Sequence, residues 1–253
     1  MTVRLLLLSL LLLVPAVALA ADPPPGAKIY VYWGHSEARG HDKASNAPRT
    51  ITHFDHIWRA EGSNAAVVTY DATSQNYFAD ELIVLGKATD VIMLHCGAVG
   101  QWTDGVIGEI KALSACASEV DVIKTKYGAV LAGAITYCCA GDTLDVSKVK
   151  KFPYRFDQLH GNFIALTGSP TDLPFIVAKT PKLNNLRCNN MNSTVRSNIT
   201  KIQKYQAAVD WPKTNVIPSP GRGFRGYNPG SGCYHLSAPE QAALGRNAAA
   251  NMQ

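Results

Sequence analysis

The sequence lacks the patterns that mark two broad classes of protein. It has no run of five or more basic residues, and its formal charge of +5 is spread along 253 residues, so nothing in it predicts a nucleic-acid partner. It also has no C-x-x-C pair and no H-E-x-x-H motif, the spacings typical of zinc sites. We therefore predict neither a metal nor a cofactor.

The sequence has one long apolar run, and it lies at the start of the chain. Leu5 to Ala18 is apolar, follows the basic Arg4, and leads to the small-x-small triplet that ends at Ala20. This arrangement predicts a signal peptide over 1–20, removed after Ala20, and a secreted or periplasmic protein. A membrane anchor is the alternative, but the run is short for one. We expect 21–253 to form a single domain that does not span a membrane.

Six cysteines follow the predicted cleavage site. In an exported protein an even number predicts disulfides, and six cysteines allow 15 complete pairings. Cys188 and Cys233 lie in the loop-rich last third and are a plausible pair. Cys138 and Cys139 are adjacent, and we predict that they do not bond to each other because neighbouring residues strain the bridge.

Short β-rich segments alternate with segments of helical periodicity. This alternation predicts a three-layer α/β/α sandwich with a mainly parallel sheet. Residues 211–232, rich in proline and glycine, are predicted to form a long loop. The predicted strands are Ile29–Trp33, Ala66–Tyr70, Asp90–His95, Ala129–Tyr137 and Leu173–Lys179. The predicted helices are Tyr77–Lys87, Gly105–Lys126, Phe156–Thr167, Val195–Val209 and Ser237–Met252.

Three predicted strands end in turns that contain glycine. In such sheets the active site lies at the carboxyl ends of the strands. The first turn exposes Ser36, a candidate nucleophile, two residues after Gly34. The other turns carry Gly100 and the pair Gly141-Asp142, where backbone N–H groups can approach a substrate oxygen. We predict an oxyanion- or substrate-binding role for Gly34, Gly100, Gly141 and Asp142.

A nucleophilic serine needs a base, and His235 is the candidate. It lies directly before the last predicted helix, from where it can fold back over the sheet edge. Five motifs then occur in a fixed order along the chain: GHSEARG (34–40), FADEL (78–82), AGDTLD (140–145), LPFIV (173–177), and HLS (235–237) followed by Leu244-Gly245. Together they resemble the SGNH (GDSL-like) hydrolases, most closely their sialate O-acetylesterase-like, or carbohydrate acetylesterase, branch.

The resemblance implies a serine esterase. Ser36 would attack the ester carbonyl, His235 would act as general base, and the N–H groups of Ser36 and Gly100 would bind the oxyanion. The implied substrate is an acylated carbohydrate or another small ester, and the group removed is an acyl group, usually acetyl.

Four positions depart from the pattern of that family, and two of them, His35 and Glu37, flank the serine in place of a glutamine and an asparagine. The acid three residues before the histidine is replaced by Gly232, and the glutamine before Gly141 is replaced by Ala140. Losing an orienting acid costs up to about 10⁴ in rate, and losing one oxyanion donor about 10²–10³. The alternative function is therefore a catalytically impaired module that binds glycans or another partner through the same cleft.

Overall fold

The computed structural model describes most of the chain. Its described residues are 22–34, 51–61, 64–67, 73–96, 105–180, 192–219, 236 and 238–253. The predicted signal peptide lies outside them. Within these ranges, no helix is both long enough and apolar enough to cross a lipid bilayer.

One sheet organises the described residues, in the order β3-β2-β4-β1-β5-β6-β7. All neighbouring strands are parallel except β3, which runs antiparallel to β2 at one edge. The strands are β1 Lys28–Gly34, β2 Ile57–Glu61, β3 Asn64–Val67, β4 Val91–Cys96, β5 Val130–Tyr137, β6 Phe175–Ala178 and β7 Thr214–Ile217.

Five helices cover the two faces of the sheet, which confirms the predicted α/β/α sandwich. Apolar residues of α1 and α5 pack on one face, and those of α2, α3 and α4 pack on the other. The helices are α1 Ser74–Val84, α2 Gly105–Tyr127, α3 Val146–Thr167, α4 Ser193–Ala207 and α5 Ala238–Asn251. Short 3-10 helices span Phe54–His56 and Ala140–Leu144.

Strand β1 lies in the middle of the sheet and contributes to both layers of core. Side chains alternate across a strand, so Ile29, Val31 and Trp33 join one apolar cluster, and Tyr30 and Tyr32 join the other. All five are at most 3% exposed. A strand buried on both faces has a continuous apolar sequence, and this is why β1 is evident from the sequence.

The structure differs from the sequence-based prediction at two strands. The loop predicted over 211–232 is wrong at Thr214–Ile217, which forms the edge strand β7 beside β6. Strand β2, Ile57–Glu61, was not predicted. Both are short and carry polar residues, so neither has the apolar run that marks β1. The predicted strand Ala66–Tyr70 overlaps β3 and extends beyond the described residues.

Helix α3 begins at Val146 rather than at the predicted Phe156. The proline inside it, Pro153, is typical of a helix break because its ring removes one hydrogen bond. Here the helix continues through Pro153, since Val149 and Phe152 before it are buried in the same core as Phe156. The Asp145 side chain caps its first turn by accepting the Ser147 N–H at 2.7 Å.

Candidate functional site

The three strand ends predicted to form the site belong to neighbouring strands. Strand β1 lies between β4 and β5, and its last residue, Gly34, is opposite Tyr137 of β5. Trp33 is opposite Cys96 of β4 on one side and Thr136 of β5 on the other. Strands β2 to β4 lie on one side of β1 and β5 to β7 on the other. This reversal of strand order makes the carboxyl end of β1 a topological switch point, where open α/β sheets have their ligand crevice.

The described residues include only part of the predicted site. Gly34 ends β1, and Gly141 and Asp142 lie in the 3-10 helix that follows β5. Ser36, Gly100 and His235 lie outside the described residues, so their roles stay predictions. The residue after His235 is Leu236, which is 1% exposed and packs in the same core cluster as Tyr32 of β1.

His95 was not among the predicted site residues, yet it contacts Gly34, the residue at which the predicted nucleophile turn begins. Its Nε2 lies 3.1 Å from the carbonyl oxygen of Gly34. A carbonyl can only accept, so Nε2 carries the hydrogen of this bond. The bond ties the end of β4 to the backbone two residues before Ser36. No spacing rule in the sequence distinguishes His95 from the other six histidines.

Asp142 caps the amino end of helix α2. Its Oδ2 accepts the backbone N–H of Val106 at 2.9 Å, and the side chain is almost fully buried. Burial raises the pKa of the Asp142 carboxyl to about 7, while the bond from Val106 and the charge of Lys148 act in the opposite direction. Asp142 therefore carries only part of a negative charge at neutral pH, beside the strand ends where the site is predicted.

Helix α2, which Asp142 caps, itself carries a second buried carboxyl group, that of Glu109. Glu109 follows Val106 by three residues, so the two lie on one helical face, and Glu109 is 1% exposed. Sequence reasoning missed it, although the signal was available: Glu109 interrupts an apolar face formed by Val106 and Leu113. Among the described residues, no three His, Cys, Asp or Glu side chains are grouped as a metal site requires.

Two cysteine pairs lie at the carboxyl edge of the sheet, at bonding distance. Cys96, at the end of β4, is bonded to Cys116 of α2. Cys138 and Cys139, directly after β5, are bonded to each other, so our prediction that these neighbours do not bond is wrong. Cys139 has a left-handed backbone, φ 82°, which ends the strand-like alternation of side chains and brings both sulfurs to one side. The proposed Cys188–Cys233 pair lies outside the described residues.

Comparisons with known proteins support the fold. The chain is similar to an Arabidopsis thaliana protein solved by X-ray crystallography, with a TM-score of 0.62, 15% identity and coverage of 89% of this chain and 97% of that one. It is also similar to a carbohydrate acetylesterase from Xanthomonas citri, with a TM-score of 0.54, 14% identity and coverage of 88% of this chain. The match spans 55% of the Xanthomonas protein. No protein-family model matches the chain, and no curated protein matches it in sequence.

Proposed function

We propose that this protein is an exported serine esterase that removes acyl groups, most simply acetyl, from carbohydrate esters. The nucleophile is Ser36 and the general base is His235. The observation that carries the proposal is the position of Gly34. Gly34 is the last residue of the central strand, at the switch point of the sheet, and the sequence continues from it directly to His35 and Ser36. One structure of similar fold, that from Xanthomonas citri, is described as a carbohydrate acetylesterase.

The chemistry proceeds in two acyl-transfer steps. His235 takes the proton of the Ser36 hydroxyl as its oxygen attacks the ester carbonyl, and the oxyanion is held by the N–H groups of Ser36 and Gly100. The bond from the acyl carbon to the sugar oxygen then breaks, and the protonated His235 returns the proton to that oxygen. In the second step His235 takes a proton from water as the water oxygen attacks the acyl carbon. The bond from the acyl carbon to the Ser36 oxygen then breaks, the acid leaves, and His235 returns the proton to the Ser36 oxygen.

Acetate release from acetylated sugars and from p-nitrophenyl acetate tests this proposal. We expect Ser36→Ala and His235→Ala each to reduce kcat by about 10³-fold or more. The wild type should react with a fluorophosphonate probe at Ser36, His235→Ala should react much more slowly because its serine is not activated, and Ser36→Ala should not react. Equal acetate release by the wild type and Ser36→Ala, each no faster than in buffer, would refute the esterase.

One observation favours a second function, a module that binds glycans or another partner without turnover. Gly232 and Ala140 replace the acid and the glutamine that are usual in the family this chain resembles. The nearby Asp142 carboxyl caps α2. If the protein is such a module, calorimetry shows saturable binding of an acetylated oligosaccharide, equally in the wild type and Ser36→Ala. Neither protein then releases acetate.

A further inference from the structure

A buried chain of hydrogen bonds connects the strand that leads to Ser36 with the residue that follows His235. The hydroxyl groups of Tyr32, on β1, and Ser74, the first residue of α1, are 3.0 Å apart. The backbone N–H of Ser74 donates to Oε1 of Gln241 on α5 at 3.3 Å. Nε2 of Gln241 in turn donates to the carbonyl of Leu236 at 3.2 Å.

The orientation of the Gln241 amide is fixed by its two partners. A backbone N–H can only donate and a carbonyl can only accept, so the oxygen faces Ser74 and the NH₂ faces Leu236. None of Tyr32, Ser74 and Gln241 is more than 2% exposed, so water does not compete for these bonds. If this buried amide lost one partner, a polar group would be left unpaired. Because that costs free energy, the two hydrogen bonds keep the amide in its present position.

Close packing of two helices holds this chain of bonds together. Gly245 lies one helical turn after Gln241, and its α-carbon approaches the backbone of α1 so closely that a Cβ there would collide with the Ser74 carbonyl and the Phe78 amide. Helix α5 therefore meets α1 at Ser74 with little freedom to slide. The Leu236 side chain is buried in the same apolar cluster as Tyr32 and holds this segment from the core side.

We propose that Gln241 is a positioning residue for the esterase: it fixes the backbone at Leu236 and thereby sets where His235 lies relative to Ser36. This inference rests on the proposed function. Tyr32 is four residues before Ser36 and Leu236 is one residue after His235, so the hydrogen-bond chain connects the two arms of the catalytic pair. Because Gly232 replaces the usual acid, the buried backbone at Leu236, one residue after His235, is the described point from which this histidine can be held.

Gln241→Glu tests the role with almost no change in shape. The glutamate keeps an oxygen to accept the Ser74 N–H, but when ionised it cannot donate to the Leu236 carbonyl and repels it. A displacement of about 1 Å near a reacting group lowers rates by about 10²-fold, so we expect kcat at pH 8 to fall 10- to 100-fold with little change in KM. A protonated glutamate can donate again, so the ratio of variant to wild-type kcat should rise as the pH falls.

The matched control is Gln206→Glu. Gln206 is fully buried on α4, and its Oε1 accepts the Thr180 N–H at 2.9 Å, so this variant buries the same charge in a comparable setting on another helix. We expect its kcat to change less than threefold. Should either glutamate variant fail to fold, Gln241→Met and Gln206→Met make the same comparison without a charge, although without the pH signature.

The outcomes separate this inference from the proposed function. An active, Ser36-dependent wild type with equal kcat for the Gln241 and Gln206 variants overturns the positioning role and leaves the esterase intact. A loss that appears in KM alone also overturns it, and so does a kcat ratio of Gln241→Glu to wild type that does not vary with pH. A wild type with no Ser36-dependent turnover refutes the esterase, and the positioning role with it.

Discussion

The Asp142 side chain caps helix α2, and its burial disfavours the charged form of its carboxyl group. Because its pKa rises from 3.8 to about 7, the folded protein keeps a proton in that pH range that the unfolded chain has already released. The stabilising contribution of this group is therefore complete below pH 3.8 and is lost as the pH rises through about 7. Above that pH the fold carries a buried carboxylate whose compensation is the Val106 N–H and the Lys148 charge.

We predict that Asp142→Asn removes this pH dependence. Asparagine keeps an oxygen to accept the Val106 N–H and cannot ionise. The free energy of unfolding of the variant should exceed that of the wild type at pH 8 by on the order of 2–4 kcal/mol, and the difference should disappear near pH 4. Urea denaturation at several pH values measures it. The exposed Asp172, paired with Lys213, gives the control Asp172→Asn, which should not be more stable at pH 8. A difference that is constant with pH would contradict the argument.

At the scale of elements, the contact between α1 and α5 depends on one glycine. A methyl group at Gly245 meets backbone atoms of α1, which cannot move aside as a flexible side chain can. Gly245→Ala should therefore push the helices apart and lower the free energy of unfolding by about 1–3 kcal/mol. A methyl group at Gly161 of α3 would meet no atom within 4 Å, and Gly161→Ala should be neutral or stabilising by up to about 1 kcal/mol. Thermal denaturation compares the pair, and equal effects would contradict the packing argument.

The two disulfides among the described residues should contribute very differently to stability. The Cys96–Cys116 bond closes a loop across 20 residues and restricts the unfolded chain, which is worth about 3 kcal/mol. The Cys138–Cys139 bond joins neighbours and closes almost no loop. All four cysteines are buried, so the cost of the lost side chains is similar in both double-alanine variants.

We therefore predict that Cys96→Ala/Cys116→Ala loses about 3 kcal/mol more than Cys138→Ala/Cys139→Ala. Guanidinium denaturation of both double variants measures this difference. If the two lose the same free energy, loop closure is not the source of the stabilisation.

For the whole molecule, the sequence predicts the central strands better than the edges. Strands β1 and β4 and the second half of β5 are buried on both faces and therefore have apolar runs, whereas the edge strand β7 has the sequence TNVI within a segment rich in proline and glycine. The predicted start of helix α3 at Phe156, after Pro153, was wrong for a related reason. The local cost of the proline is outweighed by burial of Val149 and Phe152, which depends on tertiary packing.

The candidate site shows the same division between local and long-range information. Gly34, Gly141 and Asp142 could be predicted as candidates because a strand, a turn and a glycine are local signals. Gln241 and Ser74 are separated by 167 residues, and nothing in either local sequence indicates that they meet. Helix packing creates that contact, so the sequence could identify candidate reacting groups but not what positions them.

The two core layers should unfold together because β1 belongs to both. Ile29, Val31 and Trp33 support the layer under α2 to α4, and Tyr30 and Tyr32 support the layer under α1 and α5. Losing either layer exposes one whole face of the central strand, so neither layer is expected to persist alone. We predict one cooperative transition for 21–253 in guanidinium chloride.

Probes on opposite faces test this prediction. In a Trp102→Phe background, fluorescence of Trp33, Trp58 and Trp211 reports the α2–α4 face, and hydrogen exchange of α5 amides reports the other. The midpoints should coincide. Val31→Ala, on one face, and Leu244→Ala, on the other, should each lower both midpoints together, with Leu244→Ala costing about 2–5 kcal/mol. Leu244 belongs to the α1–α5 layer. If the α5 amides of Leu244→Ala exchange freely while its tryptophan fluorescence stays native, the two layers unfold separately, and the prediction of one cooperative transition is wrong.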